Sequence, residues 1–149
     1  MRIRQAGYPD VPSMAKMIGE LFSIELDFPT DIAKQERALL ALLGSETAAV
    51  FVATEGTSDT PIGMVTVQLT ISTAQGGPSG LLEDMFVEKK YRGRGVATAL
   101  VKAVEKWCLS RGADRVQLLV DFTNEGALKF YNALGYKDTR MVSRRRFIH

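Results

Sequence analysis

The chain is poor in the two residue types that most often build metal centres and nucleophilic catalytic devices. Its 149 residues include one cysteine, Cys108, and one histidine, His149. One thiol cannot form an internal disulfide, and one thiol with one imidazole argues against a zinc site. Because the only imidazole stands at the end of the sequence, a Ser-His-Asp or Cys-His device is not expected either. We therefore expect no bound metal.

Long apolar runs and a strong charge of one sign are also missing. No segment approaches the roughly 18 apolar residues of a membrane span, and residues 1–5 lack the apolar core of a signal peptide. The formal net charge is only +2, which argues against a dedicated nucleic-acid binder. We expect a cytoplasmic protein that binds neither membranes nor nucleic acid. The length predicts one domain that covers residues 1–149.

The spacing of apolar residues predicts an α/β chain. Strand patterns cover 1–6, 48–54, 61–72, 81–87, 115–120, 136–138 and 141–147, and helix patterns cover 10–22, 31–43, 96–111 and 124–134. The three middle strands follow one another without a helix between them, which predicts an antiparallel meander with its last turn at 73–80. The expected architecture is a mixed, mostly antiparallel twisted sheet of six to seven strands, flanked by about four helices.

The most informative segment, 91–98, lies between a strand pattern and a long amphipathic helix pattern. Backbone amides at the start of a helix have no partner within the helix, and the helix dipole is positive there. Gly93 and Gly95 allow positive φ and a close approach of a ligand, and Arg92 and Arg94 add positive charge. The segment therefore predicts a ligand with a phosphate or pyrophosphate group.

Two other phosphate-binding motifs fit this segment less well. A Walker P-loop needs a Lys-Ser/Thr pair after its second glycine, whereas Val96 and Ala97 follow Gly95 here. A dinucleotide fingerprint needs a third glycine where Thr98 stands, and it does not usually follow an antiparallel meander. A dinucleotide-binding enzyme thus stays the weaker alternative.

The pattern Arg92-x-x-Gly95-x-Ala97 resembles the Q/R-x-x-G-x-G/A signature of the GCN5-related N-acetyltransferases, the GNAT superfamily. The preceding segment 81–87 resembles the central strand of that family. A second family motif is an asparagine that opens a helix, then an aromatic pair, then Gly-Tyr, and the segment 124–136 is similar to it. The resemblance follows the order of elements along the whole chain and is sharpest over 81–137.

The resemblance implies acetyl-CoA or another acyl-CoA as co-substrate. The residues that would hold its pyrophosphate are Arg92, Gly93, Arg94, Gly95, Val96, Ala97 and Thr98. The pantetheine arm would pair with Met85, Phe86 and Val87 at the end of the central strand, because the next strand splays away from it there. Asn124 would cap its helix, donate a hydrogen bond to the pantetheine arm, or do both.

The resemblance also implies a general acid, Tyr131, for the departing thiolate, with a contact to the cofactor; the alternative is a core aromatic residue. An alkylammonium acceptor has a pKa of about 10.4 and must lose a proton before it attacks. Glu83 is the leading candidate for the base, since strict alternation places it on one face with Met85 and Val87 and turns Asp84 away. A salt-bridged Glu83 with a water chain as base is the alternative.

In this family the connection between the first two helices borders the acceptor site. Here it carries Glu25, Asp27 and Phe28, which suit a cationic amine, although a solvated acidic loop is the more common explanation of such residues. The expected function is N-acetyl transfer from acetyl-CoA to a primary amine of a small molecule or peptide, by direct transfer. A non-catalytic acyl-CoA-binding regulatory module is the alternative, and the resemblance leaves a homodimer open.

Overall fold

A computed structural model describes residues 1–24 and 30–149, which form two compact units, Met1–Gln117 and Leu118–His149. The elements in chain order are β1 (Arg2–Gln5), α1 (Val11–Ile24), α2 (Ile32–Leu43), β2 (Ala48–Thr54), β3 (Gly63–Ser72), β4 (Gly77–Val87), α3 (Val96–Ser110), β5 (Val116–Leu118) and α4 (Glu125–Ala133). That residues 1–149 act as one domain stays a prediction. No helix within the described ranges has the length and apolar character that a bilayer span requires.

The sheet follows the chain order β1-β2-β3-β4-β5. The first four strands pair antiparallel, so the predicted meander is confirmed. β5 joins the far side of β4 after the helix α3, and it completes a mixed sheet of five strands. The helix in this connection is what a parallel neighbour of β4 requires, because a hairpin cannot join parallel strands.

Each face of the sheet is covered by helices of the first unit. On one face, Met14 and Ile18 of α1 and Leu39 of α2 pack against Met64 and Phe86. The helix α3 lies against β2, β3 and β4 and has its own fully buried row, made of Leu100, Val101 and Val104. Burial of each such side chain contributes about 1.5–3 kcal/mol to the free energy of folding. Packing of helices on both faces therefore stabilises the position of β4.

One glycine sets how closely α3 begins against the sheet. A Cβ added at Gly63 would lie 3.1 Å from the backbone oxygen of Phe86 and 3.3 Å from Cγ1 of Val96. Val96 is the first residue of α3, and it is buried. The start of α3 is therefore fixed close to the last residues of β4.

The expectation of six to seven strands is wrong, since the sheet formed by residues 1–24 and 30–149 has five. The segments 136–138 and 141–147 form no strand. Over 141–148 the apolar residues come in adjacent pairs on either side of an arginine run, so they do not alternate and cannot cover one face of a sheet; these exposed residues are Met141, Val142, Phe147 and Ile148. The predicted turn at 73–80 is also too long, because β4 already begins at Gly77, paired with Ser72.

Candidate active site

The segment that joins β4 to α3 forms an open loop around two left-handed glycines. A 3-10 turn at Lys89–Tyr91 follows β4, and then Gly93 and Gly95 take φ values of +75° and +81°. Glycine adopts this region without the steric cost of a Cβ. A Cβ at either position would meet nothing within 4 Å. A ligand can therefore reach the backbone of this loop from outside.

The same loop presents a row of unused hydrogen-bond donors. The backbone amides of residues 93–98 have no partner among the residues that the structure describes, and Gly95, as the N-cap of α3, has no side chain to supply one. The first paired amide is that of Ala99, which donates to the oxygen of Gly95 at 3.0 Å. These donors and the positive end of the helix dipole make the loop suited to an anion. We call residues 92–98 the phosphate loop.

The two arginines of the phosphate loop have different partners. Arg92 donates through Nε to the backbone oxygen of Val87 at 2.8 Å, and its guanidinium lies 5.4 Å from the centre of the Phe86 ring. It thus ties the loop to the end of β4. Arg94 is exposed and lies 3.7 Å from Oε1 of Glu55. An exposed ion pair contributes only about 0–1 kcal/mol, so an incoming phosphate can replace Glu55.

The end of β4 lies beyond the reach of β5. The amide of Gly80 donates to the oxygen of Arg115 at 2.9 Å, which places the beginning of β5 beside the early part of β4. β5 has three residues and β4 has eleven, so regular pairing with β5 stops before residues 85–87. This agrees with the splayed edge expected beside Met85, Phe86 and Val87. Their pairing with pantetheine stays a prediction.

A β-bulge interrupts β4 next to that edge. Thr66 pairs with Glu83 and Met64 pairs with Phe86, so Val65 stands opposite two residues, Asp84 and Met85. Asp84 has a φ of +52°, and it is the one non-glycine residue with a positive φ in the described ranges. Aspartate reaches this region at lower cost than most residues do.

The bulge changes which side chains share a face of the sheet. Directly opposed residues of an antiparallel pair lie on the same face. Glu83, through Thr66, therefore shares the α1–α2 face with Phe86, whereas Val87, through Gly63, lies on the α3 face. The prediction that Glu83 and Val87 share a face is wrong, because strict alternation does not continue through a bulge. The prediction that Asp84 faces the opposite way from Glu83 is also wrong, since Asp84 accepts a hydrogen bond from Thr66, which stands opposite Glu83, and lines the cavity described below.

Two neighbouring carboxyl groups now lie at the bulge with altered acidity. Burial raises the pKa of Asp84, and the hydrogen bond that Oδ2 accepts from Oγ1 of Thr66 at 3.0 Å opposes this rise. Glu83 is more exposed, yet partial burial and then the negative charge of Asp84 raise its pKa. Raised pKa values make carboxylates stronger bases near neutral pH. In the described part of the chain, no group of three or more His, Cys, Asp or Glu residues could hold a metal ion.

A cavity of about 230 Å³ lies between α1, α2 and the bulge. Its lining consists of Ile18, Phe22, Lys34, Gln35, Ala38, Leu39, Leu42 and Asp84. The predicted acceptor residues Glu25, Asp27 and Phe28 lie outside the described residues. Sequence reasoning did not predict that residues of α2 and Asp84 line a common cavity. The available signal was their spacing on α2, where 34, 35, 38, 39 and 42 lie on one side of a helix.

The second unit contains the other two predicted site residues. Tyr131 on α4 makes edge contacts with the rings of Phe130 and Tyr136, at centroid distances of 4.9 and 5.7 Å. Burial raises the pKa of Tyr131 to about 12. The hydroxyl therefore stays protonated at neutral pH, and complete transfer of its proton to a thiolate of pKa about 8.5 is less favourable than for a tyrosine in water.

Asn124 caps the beginning of α4. Its Oδ1 accepts a hydrogen bond from the amide of Ala127 at 3.0 Å, so the predicted N-cap role is confirmed. This bond uses the carbonyl oxygen and leaves the two amide hydrogens of the side chain as donors. A hydrogen bond from Asn124 to a pantetheine carbonyl is thus chemically compatible with the cap and stays a prediction.

The sequence model described as "Acetyltransferase (GNAT) family" matches residues 15–136 of this chain. Among curated proteins, an uncharacterized N-acetyltransferase of Methanocaldococcus jannaschii is 32% identical over 83 residues, which are 55% of this chain and 37% of the relative. The thialysine N-epsilon-acetyltransferase of Bos taurus is 37% identical over 57 residues, which are 38% of this chain and 34% of the relative. The matched segment thus spans little more than a third of either relative.

Solved structures have the same fold. The structure of a transcriptional regulator from Bacillus halodurans C-125 superposes with a TM-score of 0.86 at 25% sequence identity. This superposition covers 98% of the present chain and 99% of the other one. The five-stranded mixed sheet and its helices are therefore an arrangement that other chains of this length also adopt.

Proposed function

The chain belongs to the acetyltransferase (GNAT) family, and on this premise we propose that it transfers an acetyl group from acetyl-CoA to a primary amine. The observation that carries the proposal is the row of unpartnered amides over residues 93–98 at the start of α3. A diphosphate matches both the number of these donors and the positive end of the helix. The names of the two curated relatives, both N-acetyltransferases, support the reaction class.

The phosphate loop would bind the diphosphate of coenzyme A through its backbone. Open space outside Gly93 and Gly95 lets the phosphate oxygens approach the amides, and Arg94 is the exposed cation beside them. The pantetheine arm would then run along residues 85–87, where β5 no longer pairs with β4. Fixing the diphosphate at one end and the arm along β4 sets the position of the thioester.

The transfer needs the movement of two protons. The amine nitrogen attacks the thioester carbonyl, a carbon–nitrogen bond forms, and the carbon–sulfur bond breaks with the electron pair leaving on sulfur. Glu83, with its raised pKa, accepts the proton that the ammonium group must lose. A backbone amide near the end of β4 polarises the carbonyl oxygen. Tyr131 donates its proton to the sulfur and takes up the second proton that the nitrogen loses once the carbon–nitrogen bond has formed, so the phenol is restored.

The proposal is tested by calorimetry with acetyl-CoA and by detection of free thiol across a panel of amines. Binding in the micromolar range together with amine-dependent thiol release supports it. Binding without thiol release for any amine refutes the catalytic part. Failure to bind acetyl-CoA, with the protein shown to be folded by circular dichroism, refutes the whole proposal.

A regulatory acyl-CoA-binding module is the second candidate. The observation that favours it is the likeness to a structure named a transcriptional regulator over nearly the full length of both chains. The two candidates share the cofactor site and differ in turnover. Thiol release that depends on amine concentration therefore decides between them.

A further inference from the structure

Resting on this function, we propose that the cavity between α1, α2 and the bulge of β4 binds the acceptor as a monoamine on a short apolar stem, with its ammonium group on Asp84. We call it the acceptor cavity, with the lining given above. Such an acceptor carries one positive charge, unlike a polyamine. This preference follows from the size of the acceptor cavity, from its apolar walls and from the placement of its few charged groups.

The walls and the volume of the acceptor cavity suit a short hydrocarbon. Five of the eight lining residues that the structure describes are apolar: Ile18, Phe22, Ala38, Leu39 and Leu42. A cavity of about 150 Å³ in a protein interior holds benzene. The volume here, about 230 Å³, therefore takes a single ring or a chain of several methylenes together with an amino group. A polyamine would bring further ammonium groups against these apolar walls, which offer them no partner.

Asp84 gives the acceptor cavity a single anionic anchor. It is the one carboxylate among the described lining residues. Oδ2 is held by Thr66, and no described residue donates to Oδ1, so Oδ1 is left for a ligand. The left-handed backbone of Asp84 at the bulge is what turns this carboxylate toward α1 and α2. A charged hydrogen bond between an ammonium group and a partly buried carboxylate is strong enough to orient the amine.

The remaining polar groups of the lining are donors. The stem of Lys34 lines the cavity, and its ammonium group adds a positive charge. Gln35 is buried, and its Oε1 accepts from the amide of Asp31 at 2.9 Å, so only its NH₂ group is left for a ligand. A second ammonium group on the acceptor would meet donors and a like charge, with no second carboxylate in the described lining. Diamines are therefore disfavoured.

The experiment measures amine binding by calorimetry, with and without saturating CoA, separately from turnover. The ligands are propylamine, butylamine, pentylamine, hexylamine and 1,6-diaminohexane. Each added methylene is expected to tighten binding about threefold to fourfold. The diamine is expected to bind at least about tenfold more weakly than hexylamine. Equal affinities along the alkyl series, no measurable amine binding, or a diamine that binds as tightly as hexylamine would each overturn the inference.

Two variants test the charged groups. Asp84→Asn keeps a residue that tolerates positive φ and is expected to weaken hexylamine binding at least about tenfold; the matched control is Glu20→Gln, which removes an exposed carboxylate of α1 outside the lining. Lys34→Met is expected to reduce the difference in affinity between hexylamine and 1,6-diaminohexane. An Asp84→Asn protein with wild-type affinity for hexylamine counts against the inference. So does a Lys34→Met protein in which the two amines differ in affinity as much as in the wild type.

A third variant tests the cavity itself. Ala38→Phe places a ring into the lining and is expected to abolish the dependence of affinity on chain length, while Leu42→Ala, which enlarges the same space, is expected to retain it. Thermal unfolding confirms that both variants fold. Amine binding in this pattern without acetyl transfer refutes the proposed function alone, whereas transfer with a preference for diamines refutes this inference alone.

Discussion

The hydroxyl group of Thr66 donates a 3.0 Å hydrogen bond to Oδ2 of Asp84 across the β3–β4 pair, at the point where β4 bulges. Thr66 is almost fully buried, and Asp84 has a left-handed backbone. A partly buried carboxylate at a strained position, held by one hydroxyl group, costs stability that an apolar residue would not. Such a cost is typical of functional sites, and it leads to the first prediction.

Asp84→Asn should stabilise the fold at neutral pH. Burial raises the pKa of Asp84 above its ordinary value of 3.8, so the folded state favours the protonated form. Its contribution to stability is complete below the unfolded pKa and is lost as the pH rises through the folded pKa. Denaturant unfolding should therefore show the variant to be more stable than the wild type at pH 7. The difference should shrink at pH 3, and a variant that is less stable at pH 7 would contradict this.

Tyr131→Phe should lower kcat by roughly 10²–10⁴-fold while leaving the affinity for acetyl-CoA unchanged. The change removes the only proton that the side chain can donate, and the ring contacts with Phe130 and Tyr136 remain. Steady-state kinetics and calorimetry measure the two effects. Tyr8→Phe, at an exposed position of the first unit, is the matched control, and full turnover in Tyr131→Phe would exclude this residue as the acid.

Glu83→Gln should change the pH dependence of kcat/KM. In the wild type, burial and Asp84 raise the pKa of Glu83, and the base works only when it is deprotonated. Activity should therefore rise with pH through a pKa above the ordinary value of 4.5. In the variant this rise of activity with pH should be lost. Activity should then follow only the deprotonation of the free amine, at about pH 10.4. Superimposable profiles would assign the proton to another group.

Arg94→Gln should weaken acetyl-CoA binding about tenfold, and Glu55→Gln should tighten it by up to about threefold. Arg94 gains a phosphate partner in the complex and gives up its exposed pair with Glu55, whose contribution is only about 0–1 kcal/mol. Both effects should diminish at high salt. Lys106→Gln, an exposed charge about two turns further along α3 than Thr98, is the control. A Glu55→Gln protein that binds acetyl-CoA more weakly would refute the competition of Glu55 with the phosphate for Arg94.

What could be predicted from the sequence is what depends on short stretches of chain. The phosphate loop is one example, because two glycines and the start of a helix lie within a few residues and create unpaired amides wherever the helix is placed. The order of helices and strands and the N-cap role of Asn124 are others, since periodicity and capping are local. The segments 136–138 and 141–147 mark the limit of this reasoning, because a strand also needs a neighbour to pair with.

Only the tertiary structure decided the arrangement of the candidate acceptor site. Whether β4 keeps its alternation through Asp84 depends on its register with β3, which no local pattern reports. One extra residue at the bulge moved Glu83 onto the α1–α2 face and turned Asp84 toward the acceptor cavity. Likewise, the choice of Arg92 between a phosphate and the oxygen of Val87 depends on where the end of β4 comes to lie. The sequence by itself determined where donors would be left unpaired, and the packing of distant segments determined which side chains face one another.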